Sequence, residues 1–107
     1  MSDSVFQPFL KDPNAILDYG VNLAPWLVDG DSLTGTPTIT ILNPDGSVST
    51  TLLLADAPAP TPYYNSGKAW FWLKGGTAGV DYTVVVTFST TAGRRDDRTV
   101  VFKVLER

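Results

Sequence analysis

Apolar and polar side chains alternate with a period of two along nearly the whole chain. In "AILDYGVNL" (15–23), Leu17, Tyr19, Val21 and Leu23 fall on one face and Asp18, Gly20 and Asn22 on the other, the pattern of a half-buried strand. "TPTITIL" (36–42) interleaves Thr38 and Thr40 with Ile39 and Ile41, β-branched residues that suit a pleated surface. "NPDG" (43–46) has Asn first, Pro second and Gly fourth, a type I turn signature, and predicts that "SVSTTLLL" (47–54) returns as the second strand of a hairpin. Pro58, Pro60 and Pro62 in "ADAPAPTPYYNSG" (55–67) cannot donate to a ladder, so this segment is expected to be an extended connection or a poorly paired edge. "KAWFWL" (68–73), "DYTVVVTFST" (81–90) and "TVVFKVL" (99–105) read as further strands, with the glycines of "KGGTAG" (74–79) turning the chain between the first two. No stretch keeps the spacing of an amphipathic helix.

About seven short strands separated by turns predict an all-β fold, a two-sheet antiparallel β-sandwich. The stretch "LKGGTAGVDYTVVV" resembles the corner that leads into the penultimate strand of immunoglobulin-like, fibronectin type III-like domains. That resemblance makes Tyr82 a tyrosine-corner residue, its ring packed and its hydroxyl bonded back to the turn. The expected domain boundaries are an N-terminal arm over 1–13 and one sandwich over 14–107.

A chain of 107 residues fits a single core. Its formal charge of −3 supplies no basic field to attract nucleic acid or an anionic membrane surface. With no Cys and no His, the usual zinc ligands, the thiol nucleophile and the commonest proton-transfer group are missing. Carboxylate or hydroxyl chemistry, or no catalysis, is left, and no cofactor or metal is expected. The acidic, interrupted start "MSDSVFQPFLKDP" does not read as a secretion signal, and no apolar run is long enough to span a membrane.

The most charged stretch is "TTAGRRDDRT" (90–99). Placed between the last two strands it reads as a hairpin loop, with Gly93 at a positive-φ position. Arg94, Arg95, Asp96, Asp97 and Arg98 could simply neutralise one another in solvent. That solvated loop is the first expectation; the second is a recognition surface, since loops cluster at the ends of sandwiches. A catalytic pair of Asp96 and Asp97 is disfavoured, because adjacent residues on an extended chain point apart. "VDGDS" (28–32) gathers Asp29, Asp31 and Ser32, and is read as a turn ahead of a calcium site, because no bidentate Glu follows. Asp18 and Asp81 are expected to cap turns or pair with lysine.

Trp70 and Trp72 share one face of their strand, and Phe71 and Leu73 the other. Burial of the tryptophan face is expected, because indoles dominate small cores; if the Phe71 face is the core, the tryptophans become a binding patch. Pro25 and Trp26 are expected to plug one end of the sandwich.

Two blocks, "KDPNAILDYGVNLAPWL" (11–27) and "GGTAGVDYTVVVTFSTTAGRRDDRTVVFKV" (75–104), together resemble a family of small structural proteins of tailed bacteriophages, the fibre-tail adaptors. The family opening of K-D-P, L-D-Y and a later Trp maps to Lys11, Asp12, Pro13, Leu17, Asp18, Tyr19 and Trp26. Its closing blocks map to Gly75 through Tyr82 and to Gly93, Arg94, Asp96 and Arg98. "ADAPAPTPYYN" departs from the family pattern. The resemblance implies a non-enzymatic virion component in the tail, neck or fibre-attachment region, assembled in the host cytoplasm. It would be present in multiple copies and hold other virion proteins.

The arm "SDSVFQPFL" (2–10) would then supply apolar anchors for a neighbouring subunit, or else cover the open end of its own sandwich. The candidate interaction residues are Phe6, Phe9, Leu10 and Lys11 of the arm, with Arg94, Arg95, Asp96, Asp97 and Arg98 of the charged segment. A carbohydrate-binding or adhesion module, resting on Trp70 and Trp72, is the alternative. An enzyme is disfavoured for want of histidine, cysteine and a spaced carboxylate pair.

Overall fold

Strict alternation from Asp81 to Thr90 sends Tyr82, Val84, Val86, Phe88 and Thr90 to one buried face. Around that strand the computed structural model, which describes residues 9–27 and 30–105, folds as a sandwich of two four-stranded layers. The strands are β1 (Phe9–Lys11), β2 (Leu17–Asn22), β3 (Leu33–Leu42), β4 (Leu52–Leu54), β5 (Tyr63–Asn65), β6 (Lys68–Gly75), β7 (Asp81–Thr90) and β8 (Arg95–Val104), with one 3-10 turn over Ala24–Trp26. One sheet has the order β1-β8-β7-β3. The other runs β2-β6-β4, with β5 also pairing β6. All pairings are antiparallel except β1 with β8, which is parallel. In chain order, β8-β7-β3 and β2-β6-β4 reproduce the G-F-C and B-E-D arrangement of immunoglobulin-like sandwiches.

The core lies between the sheets. Val21, Leu23, Ala69, Phe71 and Leu73 enter from one side, and Tyr82, Val84, Val86, Phe88, Val100, Phe102 and Val104 from the other. Burial of each large apolar side chain contributes about 1.5–3 kcal/mol. Tyr82 is the corner residue that the sequence implies. Its hydroxyl accepts the Thr77 N–H at 2.9 Å and shares a 2.7 Å hydrogen bond with Thr51 Oγ1.

Three expectations change in the folded chain. "NPDG" does turn, with Gly46 N–H donating to Asn43 O, but it does not make a two-stranded hairpin. After a single bridge from Val48 to Leu42, the chain leaves for the opposite sheet, where Leu52–Leu54 pair with β6. Buried Ser49 lies at the departure, and its Oγ accepts the N–H groups of Thr51 and Leu52, a local alternative to the ladder.

The tryptophans are not core. Phe71 and Leu73 are fully buried, while Trp70 and Trp72 are half-exposed on the outer face of β6. The register explains the choice. It sets Trp70 opposite Gly20 and Phe71 opposite Tyr19, so the larger rings stand where the neighbouring strand leaves room outside.

The third change concerns the arm. Phe9–Lys11 are a strand of the sheet, paired with Phe102–Val104. Lys11 is only 1% exposed, and its ammonium donates to the carbonyls of Asp12, Ala15 and Gly75 at 2.9, 2.8 and 2.7 Å. Burial pushes its pKa below the ordinary lysine range, against the opposing influence of Asp12. Lys11 is therefore an internal tie between β1, the following turn and the end of β6, and no surface residue.

Two substitutions test these ties. Lys11→Met is expected to lower unfolding stability by roughly 2 kcal/mol or more, because it strands three carbonyls at once. Tyr82→Phe is expected to cost about 1–2 kcal/mol through the orphaned Thr77 N–H. Urea titrations followed by tryptophan fluorescence measure both; midpoints unchanged from the parent protein would contradict the assignment.

Candidate interaction surface

The charged segment is more ordered than a loop. β7 continues to Thr90 and β8 starts at Arg95, so only Thr91–Arg94 turn, with Gly93 at φ 90°. Arg95, Asp96, Asp97 and Arg98 are paired with Ser89, Phe88, Thr87 and Val86. Residues directly opposite each other in a ladder share a face, which separates the charges by side. Arg95 and Asp97 project outward, where Asp97 accepts a 2.7 Å bond from Thr87 Oγ1. Asp96 and Arg98 belong to the inner face, just beyond the last core residues. Adjacent Asp96 and Asp97 thus stand on opposite sides of the strand.

Arg98 closes that end of the sandwich. Its guanidinium carbon lies 4.3 Å from the centroid of the Trp26 ring, a cation–π contact, and its Nε is buried without a hydrogen-bond partner. Trp26 packs on the core as the expected plug, whereas Pro25 is exposed. Arg94, Arg95, Asp96 and Asp97 are exposed around this cap.

Asp31 holds the turn in place, a role that the sequence reading missed. Its Oδ1 accepts the Ser32 N–H at 2.9 Å, the Thr91 hydroxyl at 3.0 Å and the Ala92 N–H at 3.0 Å. Arg94 Nε approaches Oδ2 at 3.7 Å, and Thr91 N–H donates to Ser32 O at 2.8 Å. Burial alone would raise the Asp31 pKa, but the hydrogen bonds it accepts, those from Ala92, Thr91 and Ser32 among them, outweigh it and hold the carboxyl below the usual range. The available signal was Asp followed by Ser at the head of a strand, a local capping pattern. Its distant partner, sixty residues on, left no trace in the sequence.

The arm residues divide. Phe6 lies outside the described residues. Phe9 is half-buried, with ring centroids 4.8 Å from Phe102 and 6.0 Å from Tyr19. Leu10 is 50% exposed. Because β1 runs parallel to β8, its first residue faces the hairpin end and Lys11 the other. Phe9 and Leu10 pair with Phe102 and Lys103, at the end of β8 away from the hairpin, so they share an edge of the sheet with the Arg95–Arg98 row but stand at its opposite end.

Of the two single carboxylates expected to cap turns or pair with lysine, Asp81 does so, while Asp18 makes neither contact among the described residues. Asp81 pairs with Lys103 at 2.9 Å, as its place beside a strand suggested, and Asp18 lies outward opposite Trp72. Among the described residues no group of acidic side chains could hold a metal ion, and no helix is long and apolar enough to cross a membrane.

The pH dependence of the hairpin is a direct test. The folded pKa of Asp31 is depressed, so its contribution is complete above the unfolded value of about 4 and fades as pH falls through the folded value. Amide exchange at Ala92 is expected to accelerate in that acid window, while core amides stay protected. Asp31→Asn is expected to speed exchange at Ala92 already at neutral pH and to remove the acid dependence.

A protein-family model described as podophage GP4 fiber-tail adaptor protein gp77 matches residues 11–103. The match runs from the last residue of β1 to the next-to-last of β8, and the chain belongs to that family. No curated protein matches it.

Proposed function

We propose that this member of the podophage fiber-tail adaptor family grips its neighbours in the particle through the hairpin end of the sandwich and, at the other end of the same sheet, the β1 edge. Membership makes the chain a structural component of the virion that adapts fibre to tail. The finer assignment rests on one observation. Arg94 stands exposed on a turn that Asp31 has already fixed, and Arg95 and Asp97 stand exposed at the start of the strand that follows it. A preformed turn loses little entropy when it docks, and exposed arginines flanked by carboxylates give a partner both charge and geometry to read.

On this reading the protein acts by binding and turns over no substrate, occupies several equivalent positions, and is incorporated as particles form in the host cytoplasm. The family role and the surface agree: an adaptor needs a stiff body with its contacts at ends and edges, and the sandwich supplies both.

Footprinting of intact particles tests the proposal. Residues 94–98 and Leu10 are expected to be protected from hydroxyl radicals in the virion and reactive in the isolated protein. The double variant Arg94→Glu, Arg95→Glu is expected to fold normally yet to yield particles deficient in fibres when it replaces the parent protein during infection. Full reactivity of these residues in the virion, or fibre-bearing particles with the double variant, would sink the assignment.

A further inference from the structure

The outer face of the second sheet carries a feature that the adaptor role does not use. Trp70 and Trp72 project there from β6, with Tyr63 of β5 opposite Trp70. A Cβ built on Gly20 would lie 2.8, 2.8 and 2.9 Å from Cη2, Cζ3 and Cζ2 of Trp70. Those atoms follow one another around the six-membered ring. Near-equal distances to all three require approach through the ring face, because an in-plane approach would leave the two flanking atoms farther than the central one. A strand Cβ projects out of the sheet, so the indole lies flat on β2 and turns its other face outward. Lys68 Nζ stands 5.6 Å from the ring centroid.

Beside this platform, Trp72 forms one wall of a groove of about 330 Å³, completed by Ile16, Pro58, Pro60, Asp56 and Lys74. Asp56 and Lys74 form an ion pair at its rim. The Asp56 side chain is 80% exposed, which leaves carboxylate lone pairs free beside an ammonium that retains donors.

We propose that this groove is a saccharide-binding site, with Trp72 and the Trp70 platform stacking on the C–H faces of sugar rings and Asp56 and Lys74 bonding their hydroxyls. A pyranose offers an apolar face edged by hydroxyls. The groove offers flat aromatic surface edged by a charge-assisted acceptor and donor. Its volume falls at the lower end of the range for small-ligand sites and suits one or two sugar rings. A peptide would gain less here. β6 is paired with β2 on one side and with β4 and β5 on the other, so its main chain presents no free ladder to an added strand. The site adds a ligand to the adaptor and does not depend on the hairpin surface.

An array of oligosaccharides from bacterial capsules and lipopolysaccharides, followed by titration of the best binder against the protein's indole N–H signals, tests the proposal. The signals of Trp70 and Trp72 are expected to shift, and that of Trp26, at the hairpin end, to stay. Trp72→Ala and the exposed-site variant Asp56→Ala should each weaken binding by about tenfold or more, while Arg95→Glu should leave it intact. The proposal is overturned if no saccharide binds at millimolar concentration or if both variants bind as the parent does. It is also overturned if the Trp70 and Trp72 signals move only on addition of another virion protein, which would make the face a protein interface.

Discussion

Phe102 holds the molecule together. It is fully buried on β8 and meets an aromatic ring from each of three other strands: Phe9 of β1 at 4.8 Å, Tyr19 of β2 at 4.8 Å and nearly perpendicular, and Phe71 of β6 at 6.1 Å. Offset and edge-on contacts of this kind add about 0.5–1.5 kcal/mol beyond the area they bury. One side chain thereby couples both sheets and fastens the first strand to the last. β1 has only three residues and one ladder neighbour, so it depends on this cluster and on the bonds of Lys11 for its place.

With the middle fixed, the hairpin end is held by polar contacts. The Arg98 guanidinium over Trp26 closes the layer gap, and Tyr64 reaches from β5 to accept the Ser89 N–H at 3.3 Å. Asp31 then locks the turn from outside. These contacts cost little apolar area, and they leave the charged outer row free. A structural adaptor gains from this division, because its contact residues can be specified by assembly while stability stays in the aromatic cluster and in the interleaved valines of β7 and β8.

The same division explains the opposite face. Edge strand β2 carries Gly20 where a side chain would normally protect the surface, and Trp70 covers it from the neighbouring strand. Cross-strand aromatic cover of an edge glycine stabilises a sheet. Here it also spreads a flat ring outward, next to the groove under Trp72. One packing solution thus serves stability and produces a surface with recognition chemistry.

Period-two alternation was sufficient for the all-β class, for β6, β7 and β8 as strands, and for Tyr82 at its corner, because each depends on residues close in sequence. Local turn chemistry likewise placed "NPDG" and the glycines after β6. What alternation cannot tell is which of two apolar faces turns inward. In "KAWFWL" both faces are hydrophobic, and the Gly20–Trp70 register, set by a strand fifty residues away, decided that Phe71 enters the core. Nor can it tell which sheet a strand joins: pairing with Leu73–Gly75 of β6 took "TLLL" across the sandwich where the turn alone suggested a hairpin. Lys11 and Asp31 look like ordinary surface charges in the chain. Burial against Gly75 in one case and Thr91 and Ala92 in the other made them structural, and only the folded backbone brings those partners within hydrogen-bond reach.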